Sequence, residues 1–207
     1  MLPIIKLNYS SKNNHKESCN WLLNHSTFQR VRTKCSKDDD WSGLSLIGYS
    51  SDPMNLDKPK VLGSKIKSSN LTQTGLFNLK IMKSVVSIVK DIEKKYQTSF
   101  ERVRLLKLRA DKIIKKHTDK IDKDFGYEIG KLVRLHLPIR TNKDVYFSIW
   151  NKSKCIDDNL ELNQLYYVDV TKPHSVRNQS KEDRIHLVLD CILTESLMNE
   201  LKGVSSL

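Results

Sequence analysis

Between Gln97 and Thr194 the chain is divided into short apolar runs: "RVRLLKLRA", "KLVRLHLPI", "DVYFSIW", "QLYYVDV" and "DRIHLVLDCIL". Several alternate with period two, and turn-like loops separate them. A strand sends successive side chains to opposite faces, so such alternation commits the segment to a sheet with one apolar face. Several short strands at close spacing point to an all-β barrel or sandwich.

The alternation also shows what the second face carries. In "VRLHLPI", Val133, Leu135, Leu137 and Ile139 share one side, and Arg134 and His136 share the other. In "DRIHLVLD", Ile185, Leu187 and Leu189 stand opposite Arg184, His186 and Val188. Either strand alone reads equally well as a solvent-facing Arg-x-His pair. Two that agree could line a polar barrel interior.

The first half reads differently. Residues 35 to 70 are rich in Ser, Asp, Gly and Pro around one apolar island, "WSGLSLIGYS", a short strand framed by loops. Then "LFNLKIMKSVVSIVKDIEKKY" puts Met82, Val85, Val86, Val89, Ile92 and Tyr96 at helical spacing, with Lys83, Lys90, Lys94 and Lys95 mostly opposite. That predicts a helix packed on the sheet. The expected organisation is a single domain over 1–207. Residues 1–100 give N-terminal strands and packing helices, and 101–194 a β core. A chain of 207 residues suffices for one domain with a real core.

No run approaches the roughly 20 consecutive apolar residues of a membrane span. The start, "MLPIIKLNYSSKNNHKES", lacks the apolar segment and cleavage site of a signal peptide, so a cytoplasmic setting is expected. Cys19, Cys35, Cys155 and Cys191 form no C-x-x-C pair and are expected as reduced thiols. The net charge of +12 raises the question of a polyanionic partner. Lys greatly outnumbers Arg, however, and bidentate reading of bases or phosphates favours Arg.

Within "IKKHTDKIDKDF", His117 and Asp119 stand two residues apart among lysines. The pair reads either as a solvated surface turn or as two of three ligands to a metal. On extended backbone the two side chains point the same way. A third ligand must come from elsewhere, and His174 in "TKPHSVRN" lies 57 residues on, held by a preceding proline at a strand end. Two His and one carboxylate on one face of a metal leave the opposite positions open, as in non-haem Fe(II) oxygenases. A structural zinc site would be closed and would usually contain Cys. Arg184, ten residues after His174, suits the far carboxylate of a dicarboxylate co-substrate.

Three stretches, "RVRLLKLRADKIIKKHTD", "VRLHLPIRTNKDVYFSI" and "LYYVDVTKPHSVRNQSKEDRIHLVLDC", resemble the aspartyl/asparaginyl β-hydroxylase family. The likeness is to its small bacterial members, which include proline cis-4-hydroxylases, and it covers about residues 101 to 191. "DDDWSGLSLIGYSSD" looks like the family's N-terminal strand region. The resemblance implies a mainly β fold with flanking helices around a double-stranded β-helix (jelly-roll, cupin-like) core. It also implies an Fe(II)- and 2-oxoglutarate-dependent dioxygenase that hydroxylates an amino-acid side chain, consuming O2 and giving succinate and CO2. By position, His117, Asp119 and His174 would be the iron ligands. Arg184 would hold the distal carboxylate of 2-oxoglutarate, with Arg134 and His136 near its chelating end. The substrate would be a free amino acid such as proline, or an Asp or Asn residue in a peptide or protein. Arg177 and Asn178 are candidate substrate contacts, and loops in 43–70 and 119–130 would shape the entrance.

Two turns depart from the family pattern. A Pro-Gly turn usually precedes the His-x-Asp, where this chain has Ala110-Asp111. A Gly-Glu turn often precedes the "WY-x-D"-like strand, where this chain has Asn163-Gln164. Both bear on loop geometry rather than on the ligands.

Two readings from other classes stand beside this one. A cupin-like metal protein without oxygenase activity would be indifferent to O2 and 2-oxoglutarate. A basic nucleic-acid-binding module would show steep salt dependence, but RNP-like aromatic motifs and Arg clusters are missing.

Overall fold

Two stacked antiparallel sheets form the body of the protein in a computed structural model, which describes residues 2–25, 28–31, 40–56, 71–119 and 126–205. The strands are β1 (Ile4–Ser10), β2 (Gln29–Arg30), β3 (Trp41–Gly48), β4 (Thr72–Gln73), β5 (Phe100–Leu108) and β6 (Lys112–His117). They continue with β7 (Leu132–Arg140), β8 (Val145–Asn151), β9 (Lys154–Asp158), β10 (Gln164–Val168), β11 (His174–Asn178) and β12 (Arg184–Ile192). Among the described residues there are three α-helices, α1 (Lys16–His25), α2 (Lys83–Tyr96) and α3 (Glu195–Ser205), and two short 3-10 turns before α2 at Gly75–Asn78 and Lys80–Met82.

The larger sheet runs β1-β10-β7-β12-β5-β3-β2, with β4 paired to β3; the smaller runs β6-β11-β8-β9. This two-sheet arrangement is the jelly-roll core that the strand pattern and the resemblance imply. Each predicted apolar run of the second half is a strand, and "WSGLSLIGYS" is β3. The first half also supplies β1, an edge strand paired with β10, which the sequence reading did not single out.

The larger sheet has two unlike faces, as the alternation requires. Val133, Leu135, Leu137, Ile139, Ile185, Leu187 and Leu189 all belong to the main core. Against them pack the helices, α2 through Val85, Val86, Ile88, Val89, Ile92 and Tyr96. The predicted helix is therefore present, and its lysines face outward. The opposite face meets the smaller sheet across a second apolar cluster that includes Leu108, Ile114, Phe147, Ile149, Tyr166 and Val176. Leu137 is completely buried in the main core. Leu137→Ala should lower unfolding free energy by about 2–5 kcal/mol, read from a urea titration.

The two turns that depart from the family pattern keep their geometry by other means. Asp111 has φ 56 and Asn163 has φ 63, both left-handed. Glycine adopts that region freely, and Asn and Asp tolerate it better than other side chains. The Ala110-Asp111 turn leads directly into β6, and the Asn163 turn into β10, so both strands enter at a defined angle.

Residues 32–39, 57–70 and 120–125 lie outside the described residues, and with them Cys35 and much of the two predicted entrance loops. Cys19, Cys155 and Cys191 are free thiols. Among the described residues no helix is long and apolar enough to cross a membrane.

Candidate metal centre

β6 and β11 are neighbours in the smaller sheet, and their register sets His117 opposite His174. The two imidazoles lie with ring centroids 4.3 Å apart. Asp119 follows β6 by two residues, its N–H donating to the Val170 carbonyl at 3.2 Å. One ligand atom each from His117, Asp119 and His174 fall within 4.8 Å of one another. Asp119 Oδ1 is 3.5 Å from His117 Nε2 and 3.9 Å from His174 Nε2.

Both imidazoles are oriented in the same way from behind. His117 Nδ1 lies 2.7 Å from the Lys115 carbonyl, and His174 Nδ1 lies 2.9 Å from the Lys172 carbonyl. A carbonyl can only accept, so each Nδ1 carries a hydrogen, and in the neutral ring the lone pair is on Nε2, which faces Asp119. That is the usual way a metal-binding histidine is fixed. Burial is the largest influence on the His174 imidazole and lowers its pKa. His117 is also pulled down by burial, but its bonds to Asp119 and to the Lys115 carbonyl leave it raised. Burial alone would raise the Asp119 carboxyl; Arg134 and the two imidazoles outweigh it and hold the group well below the carboxylate range. The donor set of two imidazoles and one carboxylate fits a divalent iron with open positions.

A chain of rings leads inward from this cluster. Phe147 stacks on His174 at 5.7 Å, His136 meets Phe147 edge-on at 5.7 Å, and His186 meets His136 at 5.9 Å. At its end Arg184 Nη2 donates to His186 Nδ1 at 2.7 Å. Arg184 is 3% exposed. Its Nε, His186 Nε2 and both ring nitrogens of His136 are buried and lack a hydrogen-bond partner among the described residues. Burial, then the nearby Arg184 and, for His136, Arg134, pushes both imidazoles well below their ordinary range, so they are neutral. Orphaned buried donors beside a cation form a cradle for an anionic acceptor, and a 2-oxoglutarate carboxylate fits it.

The sequence-predicted residues thus fall into two groups. His117, Asp119 and His174 come together, and His136 and Arg184 lie along the interior from them. Arg134, expected near the chelating end of a co-substrate, places Nη1 on Asp119 Oδ2 and its other edge on Asp190. Arg177 and Asn178 are not brought to the centre. Arg177 lies over the Tyr146 ring on the outer face, 3.2 Å from Asp157. Asn178 spends its amide on the Leu108, Arg109 and Glu182 carbonyls, a turn-holding arrangement at the far end of β11. Phe147, His186 and Asp190 were not singled out as site residues. His186 and Asp190 share the interior face of β12 with Arg184, so the period-two pattern marked them without giving them a role.

A family profile described as Aspartyl/Asparaginyl beta-hydroxylase matches residues 13–193. Among solved structures, an oxidoreductase of the 2OG-Fe(II) oxygenase family from Burkholderia pseudomallei superposes with a TM-score of 0.57. It has 11% identity over 92% of this chain and 84% of the other. A prolyl hydroxylase from Trichoplax adhaerens, solved with a hypoxia inducible factor oxygen degradation domain peptide fragment, gives 0.54. Its identity is 12% over 94% of this chain and 84% of the other. At such identities the likeness is one of fold. No curated protein matches the sequence.

Proposed function

The chain belongs to the aspartyl/asparaginyl β-hydroxylase family, and from that premise we propose that His117, Asp119 and His174 hold Fe(II) while Arg184 and His136 receive 2-oxoglutarate. The protein is a 2-oxoglutarate-dependent hydroxylase. The observation that carries the site assignment is the convergence of three ligand atoms within 4.8 Å, with both imidazoles pinned through Nδ1.

When bound, iron and 2-oxoglutarate supply the oxidising chemistry, using O2 to hydroxylate a C–H bond and releasing succinate and CO2. The chain's own residues bind and orient. Lys115 and Lys172 present their carbonyls so that the two Nε2 atoms face one point. The Arg184 guanidinium grips the distal carboxylate of the co-substrate. His136, neutral, has one ring nitrogen to donate and one to accept. Phe147 and the apolar residues between the sheets keep bulk water from the interior.

The substrate is an amino-acid side chain, either free, as in proline, or within a peptide. A cleft of about 540 Å³, lined in part by Tyr49, Phe100, Glu101, Lys131 and Leu132, opens at the end of β5, β7 and β12 that also carries Arg134 and Asp190. None of the residues proposed to hold iron or 2-oxoglutarate lines it.

Anaerobic titration of the metal-free protein with Fe(II) and then 2-oxoglutarate is the test. A visible metal-to-ligand charge-transfer band should grow to saturation, and succinate release should follow on adding O2 and the right amino acid. Folded protein that gives no band would leave only the jelly roll in common with the family. The metal-protein and nucleic-acid readings would then move ahead.

A further inference from the structure

Asp190 is completely buried on β12, and its carboxylate takes four hydrogen bonds from three guanidiniums. Arg102 Nη2 is at 2.7 Å, Arg104 Nη2 at 2.8 Å, and Arg134 gives Nε at 2.6 Å and Nη2 at 3.2 Å. Charges so deeply buried contribute little net stability, because desolvation offsets their attraction. Their geometric consequence is larger. A guanidinium is planar and rigid, so fixing its Nε–Nη2 edge on Asp190 also fixes where Nη1 points. Nη1 points at Asp119 Oδ2.

We propose that Asp190 is a positioning residue for the metal centre, acting through Arg134 to turn Asp119 so that only Oδ1 faces His117 and His174. The inference rests on the iron reading of those three residues. Among the described residues the rest of Asp119 is held by its main chain, tied to the Val170 carbonyl just past the end of β6, and by Oδ1 beside the two imidazoles. With Oδ2 held by Arg134, the carboxylate can give a metal one oxygen. The position that a second oxygen would occupy stays open to co-substrate or O2. Displacing Asp190 releases Arg134, and the carboxylate then loses its fixed orientation.

The test uses Co(II) as the probe, with affinity by calorimetry and coordination by visible absorption, on the full chain. Asp190→Glu keeps the charge but carries the carboxylate one methylene further, so Arg134 cannot keep both contacts. Co(II) should bind about 10–100-fold more weakly, the range typical of residues behind metal ligands, and the absorption spectrum should change. Arg102→Met removes a guanidinium that touches Asp190 but not Asp119. It should lower thermal stability yet keep Co(II) affinity within about twofold. Folded Asp190→Glu protein with wild-type affinity and spectrum would overturn the proposal. So would an equal loss in Arg102→Met, which would mean that the cluster acts only through general stability. If Asp190→Glu does not fold, Arg134→Lys carries the test. A lysine is a point charge that cannot grip both carboxylates, so the same weakening is expected and wild-type affinity would refute the role. A wild-type chain that binds no Co(II) would bring down the iron reading and this inference together. Binding that no variant alters would bring down the inference alone.

Discussion

Replacing His174 with alanine should abolish both divalent-metal binding and 2-oxoglutarate turnover. His174 is 5% exposed, and its Nε2 faces Asp119 while Nδ1 is held by the Lys172 carbonyl. Among the described residues no neighbour can substitute for it. His117 sits directly across the β6–β11 ladder and is already a ligand, and Phe147, stacked on the His174 ring, has no donor atom. The loss should exceed the roughly 100-fold seen when only a residue behind a ligand is removed. Calorimetry with Co(II) and succinate release at saturating 2-oxoglutarate are the readouts. Far-UV circular dichroism checks that β11 still folds. The parallel replacement of His25, exposed at the end of α1, should change neither quantity. Turnover retained in His174→Ala protein would remove His174 from the ligand set.

The larger sheet could be read from the sequence because its strands are apolar on one face and its period is regular. β5, β7, β10 and β12 all coincide with predicted runs, as does β8 of the smaller sheet, and the faces assigned to β7 and β12 match the buried core. The smaller sheet could not be read in the same way. β6, "KIIKKH", buries only Ile114, and β11, "HSVRN", contributes Val176 to the apolar cluster between polar and charged residues. Neither has the pattern or the propensity of a strand. They are strands because they pair with each other and with β8, a tertiary effect that local sequence does not carry. β1 was legible in principle, since Ile5 and Leu7 alternate with exposed Lys6 and Asn8. Its neighbours in the sheet come some 160 residues later, at β10, so nothing local says what it pairs with.

The ligand set was visible as His-x-Asp, a distant His and a following Arg, because those spacings reflect chemistry that the fold must serve. The ionic cluster behind it was not. Arg102, Arg104, Arg134 and Asp190 each stand on the inward face of an apolar strand, which marks them as unusual one by one. Their meeting depends on the order β7-β12-β5 and on the register that sets Asp190 beside Arg134 and Arg102. That is why the contact of Arg134 with Asp119 could not be foreseen from the sequence. The two departing turns show the converse. Asp111 and Asn163 differ from the family in residue type, yet both adopt the backbone that glycine would supply.

Arg184→Ala should leave metal binding intact and weaken 2-oxoglutarate binding by roughly 30- to 5000-fold, the effect of truncating one partner of a buried charge pair at a cost of about 2–5 kcal/mol. The reason is the isolation of the guanidinium. Among the described residues it meets no carboxylate, only His186 Nδ1, and burial alone pushes its pKa down to about 9. A buried cation with no counter-charge is costly in the free protein, and the co-substrate's distal carboxylate is the group that would neutralise it. Two measurements therefore move in opposite directions. The dissociation constant for 2-oxoglutarate, from the charge-transfer titration, should rise steeply. The melting temperature of the protein without 2-oxoglutarate should hold or increase, because an unpaired buried charge has been removed, while the stabilising shift on adding 2-oxoglutarate should shrink. A guanidinium serving only the fold would give the reverse pattern, a lower melting temperature with 2-oxoglutarate affinity unchanged. Arg184→Lys discriminates further. It keeps the cation without the planar fork, so binding should fall between wild type and alanine, with most of the loss attributable to geometry rather than charge.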